Sequence, residues 1–338
     1  MIIKPVKIYP GRFNMPFDLL FGWRKFVYDS ENRVFEIMED LEMRHCGKLE
    51  GFASQKGIRG LSFHPKKELA AFVTEDGMTV SDFYGNRIWD YKAPVSALVF
   101  SRDGEELWIA ENTNSNKLFI SVVDAKSGME NSANTMEDTL YESSLRLCHA
   151  PETVLLELAA GQDGIEIREL DATGSAMRHR VVFPKYCHVM PVFHPDGKRC
   201  LTLENDEQLF YSYTWPDASL VAKQRDYIDI DREDEEVYPN YSMTYLRNGL
   251  AVVQSASMRL YLFDPEKMER LDELVIEGFE PVPIKEVFTN LKDDKSLYSP
   301  IERLERFGDM LVAKTGRHAE NQALILLSEE DLSGGAFT

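Results

Sequence analysis

The feature that most constrains the fold is a unit of two hairpins that recurs along the chain. Its first half is clearest in Leu61-Ser62-Phe63-His64-Pro65-Lys66-Lys67-Glu68-Leu69-Ala70-Ala71-Phe72-Val73, and again in Leu98-Val99-Phe100-Ser101-Arg102-Asp103-Gly104-Glu105-Glu106-Leu107-Trp108-Ile109-Ala110. Each copy reads as an alternating apolar strand, a tight polar turn and a more continuously apolar strand. A third copy runs from Val192-Phe193-His194-Pro195-Asp196-Gly197 to Leu203, and weaker ones begin at Leu145 and Met243. Pro fixes φ and Gly permits positive φ, which suits a hairpin turn at these points.

The second half of the unit is an apolar strand that closes on Asp, a short turn and another strand. It appears as Thr79-Val80-Ser81-Asp82-Phe83-Tyr84-Gly85, Val122-Val123-Asp124-Ala125-Lys126-Ser127-Gly128, Glu169-Leu170-Asp171-Ala172-Thr173-Gly174 and Leu262-Phe263-Asp264-Pro265. An Asp side chain there caps the turn's amides, and the Gly takes the conformation that other residues resist. Two halves give four short antiparallel strands in roughly 37 to 50 residues, the period of a propeller blade.

On these turns the chain resembles the WD-repeat and YVTN-type β-propeller superfamily, over about residues 16 to 327. Two usual marks differ: the Trp-Asp pair, here Trp89-Asp90, falls in an expected fourth strand, and no Gly-His dipeptide opens a repeat. The resemblance implies an all-β fold, a propeller of four-stranded blades. Blades are expected near 16–51, 58–91, 95–135, 143–182, 188–224, 240–276 and from 300 onward. The last lacks a clear fourth strand, and Ile2–Tyr9 can supply it, closing the ring by pairing the N- and C-terminal strands. That count is seven; six or eight stay open because 276–300 is weakly patterned. The expected organisation is a single propeller domain over 1–338, with an acidic insertion between blades at 226–239 and a loop with a short helix at 280–298.

Charge narrows the function. The 338 residues include 38 basic and 57 acidic side chains, a net −19. Such a surface repels phosphate backbones and anionic lipid, so nucleic acid is disfavoured as a partner. No stretch approaches the roughly 20 apolar residues of a membrane helix, so no membrane insertion is expected. The start, Met1-Ile2-Ile3-Lys4-Pro5-Val6-Lys7, turns polar too early for a signal peptide. Cys46, Cys148, Cys187 and Cys200 are scattered and read as reduced core thiols. A cytoplasmic protein is expected.

The densest charge run is Asp226-Tyr227-Ile228-Asp229-Ile230-Asp231-Arg232-Glu233-Asp234-Glu235-Glu236-Val237-Tyr238. Asp229, Asp231 and Glu233 offer oxygen ligands to calcium, but the spacing lacks the Gly and the closing Glu of an EF-hand loop. A solvated insertion and a docking loop are the other readings. As a docking loop, its partner contact comprises Asp229, Asp231, Glu233, Asp234, Glu235 and Glu236 with Tyr227 and Tyr238, since aromatics beside charge suit an interface.

No catalytic signature emerges: no GxSxG elbow, HExxH helix, P-loop or GxGxxG turn is present. His64 and His194 precede Pro at equivalent turns and read as structural, and Cys187-His188 and Cys148-His149 point to opposite strand faces. The reading is therefore a non-catalytic protein–protein interaction scaffold with no cofactor and a basic protein partner. Its rival is a metal-dependent enzyme or small-ligand binder with a site near the central axis.

Overall fold

The computed structural model describes residues 1–15, 25–52, 60–74, 76–113, 116–140, 143–161, 164–172, 177–183, 187–207, 209–224, 239–255, 257–288, 297–308, 310–316 and 319–333. The fold is a seven-bladed β-propeller; in blades one to five the strands of each sheet follow in chain order, and in blades six and seven an N-terminal strand joins the outer edge. The chain divides into two compact units, Phe13–Met190, and Met1–Arg12 with Pro191–Thr338.

The first unit holds four blades. Blade one is Phe13–Asn14, Lys25–Asp29, Arg33–Ile37 and Met43–Lys48, and blade two is Leu61–Phe63, Leu69–Thr74, Gly77–Asp82 and Arg87–Tyr91. Blade three is Ala97–Phe100, Glu106–Thr113, Lys117–Asp124 and Glu130–Glu137; blade four is Ser144–His149, Val154–Ala159, Ile165–Asp171 and Arg178–Val181. Aromatic and aliphatic side chains fill the space between successive sheets. Phe26, Phe63, Phe72 and Phe83 join blades one and two, with the Phe26 and Phe83 rings edge-to-face at 5.0 Å. Burial of each such side chain contributes on the order of 2 kcal/mol.

The second unit holds blade five (Val192–Phe193, Arg199–Glu204, Leu209–Thr214, Leu220–Lys223) and blade six (Pro239–Tyr245, Ala251–Ser255, Leu260–Asp264, Glu269–Ile276). Blade seven comprises Ile301–Phe307, Met310–Thr315 and Ala323–Ser328, and its fourth strand is Lys7–Pro10, antiparallel to Ala323–Leu326. The N-terminal segment thus does supply the missing strand, but only its second half does so. Ile2–Ile3 instead pairs in parallel with Val275–Ile276 and gives blade six a fifth strand. Pro5 separates the two pairings, since proline lacks the amide to continue a ladder. Between blades six and seven a single helical turn, Ile284–Val287, follows Val282–Pro283, which pairs with Leu297–Tyr298.

The turns follow their local chemistry. Asp82 Oδ1 accepts the amides of Tyr84 and Asn86 at 2.9 and 2.8 Å, and Asp124 Oδ1 that of Ser127 at 2.7 Å. His64 Nδ1 accepts the amides of Lys66 and Lys67, and His194 Nδ1 that of Asp196, so both His-Pro turns are pinned by their histidines.

One regularity breaks the strand alternation. Where the fourth strand pairs with the end of the third, it carries one extra residue in four blades: Ile88, Asn131, Val221 and Leu271. Cys46 is bulged likewise in blade one. A bulge re-aims its residue and twists the strand, so Ile88, Val221 and Leu271 stand exposed although apolar. The fourth strand of blade four has no bulge: Arg178–Val181 pairs with Arg168–Asp171 in unbroken register.

Candidate functional site

Within the first unit, the turns of blades three and four enclose a cleft of about 300 Å³. Ser101 and Arg102 line it from the first turn of blade three, with Glu106 and Trp108 from the following strand. Blade four contributes the turn from His149 to Val154 and the end of its third strand, Leu170 to Ala172.

The walls are rigid for local reasons. Ser101 Oγ donates to Asp103 Oδ1 at 2.6 Å and accepts the Glu106 amide at 2.9 Å, while Asp103 also accepts the Glu105 amide. These bonds, that from Ser101 foremost, hold the Asp103 carboxyl below its ordinary range. Gly104 closes the turn at φ +82°, with the His64 ring so close that a Cβ would sit 2.4 Å from Cε1. Arg102 Nη1 donates to the Pro151 carbonyl at 2.7 Å and bridges the two turns. Thr153 Oγ1 donates to Glu169 at 3.1 Å, and Asn131 Nδ2 to Glu106 at 3.3 Å.

The lining carries three carboxylates, Glu106, Glu152 and Asp171, against one guanidinium, Arg102. His149 adds no charge near neutral pH. Burial, helped by the Arg102 charge, pushes it down to about 4, against an opposing pull from the Phe100 carbonyl. Both lining hydroxyls donate to carboxylates, Ser101 to Asp103 and Thr153 to Glu169. The arrangement suits recognition: an acidic recess with one indole wall, open to a cationic side chain.

The sequence did not single out this cleft. Its turn residues were legible, but nothing in either segment signals that the other lies alongside it. Tyr227, Asp229, Asp231, Glu233, Asp234, Glu235, Glu236 and Tyr238 all lie outside the described residues. Cys46, Cys148, Cys187 and Cys200 are buried and form no disulfide, and burial pushes the thiol of Cys200 up to about 12. Cys187 and His188 are both buried, with the His188 ring against Phe183 at 4.8 Å.

Glu36, Cys46 and Glu68 gather their ligand atoms within 4.8 Å of one another. Arg44 Nη2 bridges the two carboxylates at 2.5 and 3.0 Å, and the Tyr84 hydroxyl donates to Glu68. A guanidinium among the donors opposes a cation, and burial raises the Cys46 pKa, so this is an ion-paired junction between blades one and two. Among the described residues, no helix is long and apolar enough to cross a membrane.

No family profile and no curated protein sequence matches the chain. Solved structures do match it over 91% of its length. One is Hsv2 of Kluyveromyces lactis with complete loop 6CD, at TM-score 0.53 and 11% identity, over 90% of that chain. Another is the dihydro-heme d1 dehydrogenase NirN in complex with DHE, at TM-score 0.54 and 17% identity, over 61% of that chain. Likeness at this identity establishes the propeller fold and nothing finer.

Proposed function

We propose that this protein is a non-catalytic docking platform that receives a basic segment of another protein in the cleft between blades three and four. The observation that carries this reading is the lining: Glu106, Glu152 and Asp171 beside Trp108, with the one guanidinium tied to the Pro151 carbonyl. A net charge of −19 steers the same class of partner toward the surface. Four buried thiols support a reducing compartment, and with it the cytoplasm. Descent from the WD-repeat type of propeller rests on the His-Pro and Asp-Gly turns alone.

The test uses a labelled oligolysine peptide in a fluorescence titration at low and moderate salt. Glu152→Lys, at an exposed position on the cleft rim, is expected to weaken binding about tenfold, one lost charge contact. The same reversal at Glu269, on the exposed start of the fourth strand of blade six, is expected to leave it within twofold. Equal losses from both reversals would mean that the peptide reads bulk charge, and the cleft assignment would fall.

A further inference from the structure

The perimeter strand of blade four differs from those of its neighbours in three ways. Its register is unbroken, whereas bulges at Cys46, Ile88 and Asn131 interrupt the fourth strands of blades one, two and three. All four of its residues, Arg178 to Val181, are exposed. It also carries two arginines and no acid, in a chain with a net −19. Bulges and twist are what blunt a sheet edge against pairing with another strand, and here they are missing.

The hydrogen-bond parity of this edge can be worked out. The Val182 amide donates to the Ile167 carbonyl at 2.9 Å. In an antiparallel ladder alternate residues face the partner strand, so Arg180 and Arg178 also turn their N–H and C=O inward, toward Glu169 and Asp171. His179 and Val181 therefore turn theirs outward. Strand addition at a blade's perimeter occurs in this molecule: in the second unit, past the bulge at Leu271, Val275–Ile276 of blade six pairs in parallel with Ile2–Ile3 as a fifth strand.

From these observations we infer that the perimeter edge of blade four is a strand-addition site. Its occupant is an extended segment of another protein with acidic residues at alternate positions. The backbone of that segment pairs with the outward groups of His179 and Val181. Its carboxylates lie on the face that carries Arg178 and Arg180; the latter, already bonded to Glu169, keeps 45% of its side chain exposed. Cross-strand pairing of opposite charge sets which face of the segment is acidic. This edge is separate from the acidic cleft and takes a partner segment of opposite sign.

The probe is a labelled hexapeptide of alternating glutamate and valine, titrated against the full chain. Binding is expected to fall at least tenfold when alternate peptide amides are N-methylated, and when lysine replaces glutamate. His179→Pro and Val181→Pro each remove an outward amide and leave the inward ladder bonds in place, so each is expected to cause a similar loss with the fold retained. Should either variant fold poorly, amide exchange in the wild type replaces it: the peptide is expected to protect His179 and Val181 and to leave Arg180 unchanged. Absence of binding, or binding indifferent to N-methylation and without protection at His179 and Val181, would overturn the inference.

Discussion

Blades two and four are built from the same plan and end differently. Both carry a histidine where the first strand ends, His64 just after Phe63 and His149 as the last residue of its strand, and both close their third strand on an aspartate, Asp82 and Asp171. In blade two the bulge at Ile88 is followed by Trp89, whose indole donates to the Ala125 carbonyl of blade three at 3.0 Å and packs on Gly128. In blade four the perimeter strand runs regular and exposed. Within this unit the perimeter is thus not uniform: the bulged strand of blade two is fastened to blade three, while the regular strand of blade four turns the backbone groups of His179 and Val181 outward.

The largest test of that contrast lies in blade one, whose bulged strand is fastened in the same manner. The Lys48 amide donates to the Phe83 carbonyl at 2.9 Å, and a Cβ on Gly47 would lie 1.7 Å from that oxygen. Gly47→Ala is expected to cost about 3 kcal/mol or more, because the clash is with backbone. A denaturant titration reads it. A loss below about 1 kcal/mol would mean that the fastening contributes little, and the contrast with blade four would lose its energetic basis.

A smaller effect, dependent on pH, is shared by the two histidines. Burial lowers both to about 4, from an ordinary value near 6.5. The folded protein keeps them neutral while the unfolded chain protonates them. Their contribution is therefore complete above pH 6.5, is lost as pH falls toward 4, and does not change further below that. Each accounts for up to about 3 kcal/mol across the window. His64→Gln and His149→Gln are each expected to flatten the fall in thermal midpoint between pH 6.5 and 4. An unchanged slope for one of them would show that its turn opens to water.

The smallest effect concerns the perimeter of blade four itself. In native-state hydrogen exchange, the amides of Arg180 and Val182 are expected to exchange slowly, and those of His179 and Val181 at the rate of exposed turns. Four equally slow amides would mean that the edge is already covered, and would remove the contrast at its source.

Much of the fold was legible from residues close in sequence. The Asp turns at Asp82, Asp124 and Asp264 and the pinned turns at His64 and His194 need only a few neighbours to form, and their spacing sets the blade period. The blade boundaries read from them differ from the observed strands by a few residues, and the N-terminal strand, expected as one piece over Ile2–Tyr9, is split at Pro5. The acidic segment read as a docking loop lies outside the described residues, so the sequence reading of the site contributed nothing to the cleft.

The repeat, the turn chemistry and the acidic charge can be read from the chain alone. Which strands bulge, which perimeter edge stays regular, and which two turns meet around Glu106, Glu152 and Asp171 are set by packing between distant segments. The physical reason is range. A turn is stabilised by hydrogen bonds and φ preferences within about five residues, which the sequence carries locally. Register and cleft geometry arise where one strand or blade is packed against another, and those energies belong to pairs of segments far apart in the chain.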